Sequence, residues 1–133
     1  MKFPVAACAV LLISQLTHAQ QKPQPKSVTL PAILDHNRVI IEVDVPARNG
    51  PAKRVRAWID TGDPELLMSV NLAKSTALQL DCEGQTCTAA PPKQIVIGDM
   101  PISLEGIKEA KVPVGSIAVG LDADINIPST VLR

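Results

Sequence analysis

Apolar residues in this chain come in short, β-branched runs, and nearly every run ends at a proline, a glycine or an Asn/Asp turn signal. Arg38 to Val45 (Arg-Val-Ile-Ile-Glu-Val-Asp-Val) alternates apolar and polar residues in its second half. Arg54 to Ile59 (Arg-Val-Arg-Ala-Trp-Ile) alternates again and runs into Asp60. A period of two sends neighbouring side chains to opposite faces of an extended chain, so both segments read as half-buried strands. Asn49-Gly50-Pro51 between them is a turn signal. The pair is expected to form a hairpin whose second strand ends at Asp60-Thr61-Gly62.

The remaining punctuation extends this pattern. Ser27 to Ile33 reads as a first short strand, followed by the turn cluster Asp35-His36-Asn37. After Pro64, Leu66 to Val70 reads as a strand and Asn71 to Leu80 as a brief helix with Asn71 as its N-cap. Lys93 to Gly98 and Met100 to Leu104 form a second expected hairpin about Gly98-Asp99. Lys111 to Gly120 is a further strand region broken at Gly115, and a helical turn is expected from Pro128, since proline suits the first helical position. Many short strands at close spacing predict an all-β fold: a small closed barrel or sandwich with one or two short helices.

The length of 133 residues bounds the chain to one domain. Charge is balanced, 13 Lys+Arg against 13 Asp+Glu, which leaves no electrostatic footprint for nucleic acid or an anionic membrane. Phe3 and Trp58 are the only aromatic residues, so base-stacking platforms are missing as well.

The N-terminus carries Lys2, an apolar run from Val5 to Ile13 and then Thr17-His18-Ala19. This reads as a secretory signal peptide over residues 1–19, cut after Ala19. An uncleaved anchor is the alternative, disfavoured because the run is too short to span a bilayer. Residues 20–37 are then a polar Gln/Lys/Pro linker and the first short strand, and residues 38–133 are the folded domain. An exported chain ends in the periplasm or outside the cell, free of the membrane once cleaved. That environment is oxidising, so Cys82 and Cys87, separated by Glu-Gly-Gln-Thr, are expected to form a disulfide that fixes local shape. His36 is the only histidine after His18 and lies far from the cysteines, so no metal is expected, nor any cofactor.

Asp60-Thr61-Gly62 admits two readings. Asp and Gly at a strand end make a good turn with no further role. The catalytic reading needs two carboxylates that share a proton: one helps deprotonate a water, and the protonated one hydrogen-bonds the scissile carbonyl. Such a carboxylate must sit on a rigid turn and be held by backbone N–H groups. A hydroxyl residue followed by glycine suits that need, because glycine admits close approach of the backbone.

In its setting the tripeptide resembles that of the retropepsin-like aspartic proteases, in particular single-domain exported bacterial members. The matching residues are Ile59-Asp60-Thr61-Gly62, then Leu66-Leu67-Met68-Ser69, then Leu72-Ala73-Lys74 ahead of Leu78. Ile95-Val96-Ile97-Gly98 leads into a hairpin, and Val119-Gly120-Leu121-Asp122 is similar to the apolar-Gly-x-Asp element before the family's C-terminal helix. The resemblance implies a closed retropepsin-type barrel with one catalytic aspartate per subunit, active as a homodimer. With a single Asp-Thr-Gly copy, a two-fold axis would bring Asp60 together with its symmetry mate. It further implies Asp60 as the catalytic carboxylate, Thr61 as a brace across the interface and Gly62 as an orienting backbone position. The expected partners are a second copy and an extended peptide or protein substrate. Ile97 and Gly98 are the candidate substrate-covering flap.

Departures from the family pattern set the alternative. Asp63-Pro64 follows the tripeptide where a small residue is usual, and Asp63 either faces solvent or crowds the dyad. Family members continue past the last helix with a strand that helps form the dimer. The reading therefore expects either a chain shortened after Leu132 or a dimer formed in another way. Both features favour a catalytically inactive binding or scaffold module as the second reading. Asp122 and Asp124 share a face if extended and are a weak cation candidate against a solvated edge. Trp58 reads as a core residue, with lining the site as the alternative. No G-x-S-x-G element supports a serine nucleophile with His36.

Overall fold

The computed structural model describes residues 27–115, 117 and 122–132. The expected signal peptide, linker residues 20–26 and Val119-Gly120-Leu121 lie outside the described residues. No helix among the described residues is long and apolar enough to cross a membrane.

Among the described residues the fold has ten strands, one α-helix and a closing 3-10 turn. In chain order they are β1 (Ile33–Asp35), β2 (Arg38–Val45), β3 (Lys53–Asp60), β4 (Leu67–Met68) and α1 (Val70–Ser75). Then come β5 (Leu80–Glu83), β6 (Thr86–Ala89), β7 (Gln94–Ile97), β8 (Met100–Ser103), β9 (Ala110–Pro113), β10 (Ile125–Pro128) and the 3-10 turn Ser129–Leu132. The strands join one curled sheet in the order β5-β6-β9-β4-β10-β3-β2-β7-β8, with β1 paired to β2. The expectation of an all-β fold with short helices holds.

The expected closed barrel is instead an open, half-barrel curl. Closure needs the two end strands to share a ladder, and among the described residues β5 and β8 pair only with their inner neighbours. Their sequences explain this. β8 carries Pro101, which has no N–H to give, and β5 exposes Asp81 and Glu83. Proline and charge are what keep a sheet edge unpaired.

The β2–β3 hairpin forms as expected, in antiparallel register from Val39↔Ile59 to Val45↔Lys53. One face of it, with Val43, Val45 and Ala57, joins a single core that also takes Met68, Leu72, Ile95, Val112, Ile125 and Ile127. The other face carries Arg38, Glu42, Asp44, Arg54, Arg56 and Trp58, and it ends at Asp60.

The strand expected over Leu66 to Val70 is shortened to Leu67–Met68, and four elements depart further from expectation. The first strand is Ile33–Asp35 and not Ser27–Ile33, because His36 and Asn37 both adopt left-handed backbone (φ 47 and 62) and fold it tightly onto β2. The helix begins at Val70 with Ser69, not Asn71, as its N-cap. The Ser69 hydroxyl accepts from Leu72 N at 3.1 Å and donates to Asp124 Oδ1 at 3.0 Å. It stops at Ser75 because the Thr76 hydroxyl takes the Leu72 carbonyl at 2.7 Å and Ala77 turns left-handed at φ 57. The strand expected over Lys111 to Gly120 is Ala110–Pro113. Finally, Ile125–Pro128 is a fully buried strand, with the helical turn following it. It lies between β3, to which it is parallel, and β4, to which it is antiparallel.

Cys82 and Cys87 sit directly opposite each other on β5 and β6 and are bonded, with Cα atoms 3.9 Å apart. The disulfide therefore clips a hairpin rather than an irregular loop.

Candidate active site

Asp60 is the last residue of β3, on the face opposite the core residue Ala57, yet it is only 9% exposed. β10 covers it: the parallel register sets Pro128 level with Asp60 and Asn126 level with Trp58. Beyond the strand end the chain turns at once, and the turn supplies donors. Asp60 Oδ1 accepts from Gly62 N at 2.8 Å and from Asp63 N at 3.3 Å. The carboxylate thus closes its own turn, as a short acidic side chain does when its oxygen reaches the backbone two residues on.

Its other oxygen, Oδ2, faces Asn126 Nδ2 at 3.4 Å. The same Nδ2 lies 3.5 Å from the Glu65 carbonyl oxygen. Asn126 is completely buried, and its Oδ1 has no partner among the described residues. Asn126 was not singled out in the sequence. The available signal was a lone amide between Ile125 and Ile127, where burial on both faces calls for apolar residues.

Thr61 and Gly62 are exposed at the loop surface. A Cβ on Gly62 would meet Asp60 Oδ1 at 3.6 Å, an ordinary contact, so close approach within one subunit does not require glycine there. Asp63 does not aim its carboxylate at Asp60. Its Oδ1 accepts from Glu65 N at 2.9 Å and closes a second small turn. Glu65 in turn pairs with Lys111 from β9, and this bond, more than the neighbouring Asp63 and Glu109 charges, raises the Lys111 ammonium pKa. A groove of about 260 Å³ lined by Pro64, Glu65, Leu66, Ile107 and Lys111 borders the loop.

The structure brings Asp60, Thr61 and Gly62 together but sets Ile97 and Gly98 apart from them. Ile97 is a core residue, 5% exposed. Gly98 turns left-handed (φ 64) under the N-terminal arm, where a Cβ would come within 2.6 Å of Val28 Cγ2. β7 pairs with β2 through Asp44↔Val96, so Gly98 is level with Glu42, four residues along β2 from the level of Asp60. Four strand residues are about 13 Å.

The other candidates have separate partners. Arg38 lies over the Trp58 ring, 4.9 Å from its centroid, and Trp58 is half-buried. Asp122 pairs with Arg56 at 2.6 Å, while Asp124 accepts from Ser69. The two aspartates thus turn to different groups, and no cluster of three or more metal-ligating side chains occurs among the described residues.

No family model, curated protein or solved structure matches this chain. The site therefore has to be read from its own geometry.

Proposed function

We propose that this chain is one subunit of an aspartic-type endopeptidase of retropepsin-like character, exported to the periplasm or beyond, and active as a homodimer. The observation that carries this reading is the Asp60 carboxylate: buried at a strand end, held by two backbone N–H groups and, among the described residues, without a cationic partner. A base that polarises water needs such fixed placement without an ion pair that would consume its charge. One subunit supplies one buried carboxylate at the base of an exposed loop, beside a small groove, which is half of a shared-proton site. In the dimer the second Asp60 would come from the partner. One carboxylate would take a proton from water, the other would hydrogen-bond the peptide carbonyl, and hydrolysis would proceed with no covalent intermediate. Exposed Thr61 is free to meet its symmetry mate.

The second reading is a non-catalytic binding or scaffold module. The turn-closing bonds of Asp60 favour it, because they serve the fold whether or not chemistry follows. The test is cleavage of a peptide library at acidic pH by the purified protein, beside Asp60→Asn and with sedimentation run in the same buffer. Equal cleavage by both forms removes Asp60 from catalysis. A strictly monomeric active species removes the shared dyad.

A further inference from the structure

Asn126 occupies the site at a cost. A fully buried amide in an apolar strand loses its water, and here one of its two polar atoms, Oδ1, gets nothing in return. Its flanking residues Ile125 and Ile127 belong to the core, and a leucine of similar size would bury no polar atom. What the amide does gain is specific. Its Nδ2 faces Asp60 Oδ2 at 3.4 Å and the Glu65 carbonyl at 3.5 Å, two acceptors at the two ends of the loop that contains Thr61 and Gly62. The reversed amide would set an acceptor against two acceptors, so charge fixes the orientation and leaves Oδ1 as the unpaired atom.

The backbone bonds from Gly62 and Asp63 hold only Oδ1 of Asp60. They leave the carboxylate free to swing about that oxygen. Asn126 supplies the second point, and it comes from a strand locked on both sides, parallel to β3 and antiparallel to β4. Two points fix a planar group in a way that one does not. The same amide ties the far end of the loop, through Glu65, to that strand.

We propose that Asn126 is a positioning residue: its amide pins Asp60 Oδ2 and the Glu65 carbonyl together, and so fixes the plane of the Asp60 carboxylate and the span of the loop. As a role in catalysis this rests on the peptidase reading, while the clamp itself does not.

The experiment compares the full chain with Asn126→Leu and Asn126→Val, apolar side chains that remove both amide hydrogens and bring no new donor or charge. Three quantities are read: peptide cleavage, amide hydrogen exchange and the thermal midpoint. The expected result is at least a tenfold fall in kcat, with KM within about twofold. Exchange at Gly62 and Asp63 accelerates about tenfold or more while that at Ile97 is unchanged. The midpoint of Asn126→Leu is expected to fall modestly, because removing the unpaired Oδ1 offsets only part of leaving Asp60 Oδ2 without its donor. If Asn126→Leu does not fold, Asn126→Val alone decides through its exchange pattern and kcat. Unchanged exchange at Gly62 and Asp63 overturns the clamp. Uniformly faster exchange in both variants, at Ile97 as much as at Gly62 and Asp63, also overturns it, because Asn126 is then a packing residue. Local loosening with no cleavage by the parent or any variant keeps the clamp and removes the peptidase reading on which its catalytic role depends.

Discussion

The outer face of the β2–β3 hairpin carries an aspartate towards each end, and the two are held in opposite ways. Asp44 meets a cation: Arg54 reaches it with Nε at 3.0 Å and NH2 at 2.9 Å, and Arg54 itself is largely exposed. Asp60 is buried and, among the described residues, meets neutral donors alone, two backbone N–H groups and one long amide contact. The first arrangement is a solvated ion pair, of the kind that contributes little to stability. The second keeps a carboxyl group inside the protein with no ion pair among the described residues. Only the second resembles a site, since a charge already neutralised by a neighbour has little left to offer a substrate.

The contrast can be broken experimentally, most sharply at the Asp60 end. Asp60→Asn keeps the shape and is expected to retain the fold while lowering peptide cleavage by roughly a thousand-fold or more. Steady-state kinetics with circular dichroism as the fold control measures both. Next in size is Gly98→Ala, towards the Asp44 end. The added methyl meets Val28 and Leu30 at a left-handed backbone position, so urea denaturation is expected to show a loss of about 1–3 kcal/mol. KM measured well below the midpoint is expected to stay the same, because the hairpin tip lies apart from Asp60; a raised KM would restore its role as a flap. Ser69→Ala follows. It removes the N-cap of α1 and the bond to Asp124, for an expected loss of about 1 kcal/mol in the same assay.

The smallest effect is expected from Asp44→Asn, and its value lies in its pH dependence. The hydrogen bond from Arg54 is the main cause that holds the Asp44 carboxyl below its ordinary value of 3.8. A carboxyl lowered in the folded state contributes stability above the unfolded value and loses it as pH falls through the folded one. The gap between the parent and Asp44→Asn in thermal midpoint is therefore expected to be slight at neutral pH and to vanish in strong acid. A gap that grows on acidification would contradict the pairing.

The two ends of the molecule also differ in how far the sequence reveals them. The β2–β3 hairpin and its Asp-Thr-Gly end were legible because period-two alternation and Asn49-Gly50 act over a few residues. The β7–β8 hairpin was legible for the same reason, through Gly98. What covers Asp60 was not. β10 is four buried residues without alternation, ending in proline, and it exists as a strand because β3 and β4 offer it ladders from distant parts of the chain. Asn126 was hidden with it. The helix start is ambiguous by two residues in the sequence because Ser69 and Asn71 are both good caps, and only the tertiary bond to Asp124 favours the serine. Barrel closure does not follow from a strand count, which says nothing of which edges carry proline and charge.

The placement of β10 also orders events in time. Asp60 and Asn126 are 66 residues apart, so the contact between them closes one of the longer loops in the chain. Local hairpins form in microseconds, whereas pairings at such separation wait on the loop-closure entropy and come late. Until β10 slots between β3 and β4, Asp60 is an ordinary, hydrated strand-end aspartate. Any partial chain that stops short of Ile125 is arrested in that state. Under the proposed peptidase reading, the site becomes competent only when β10 is in place.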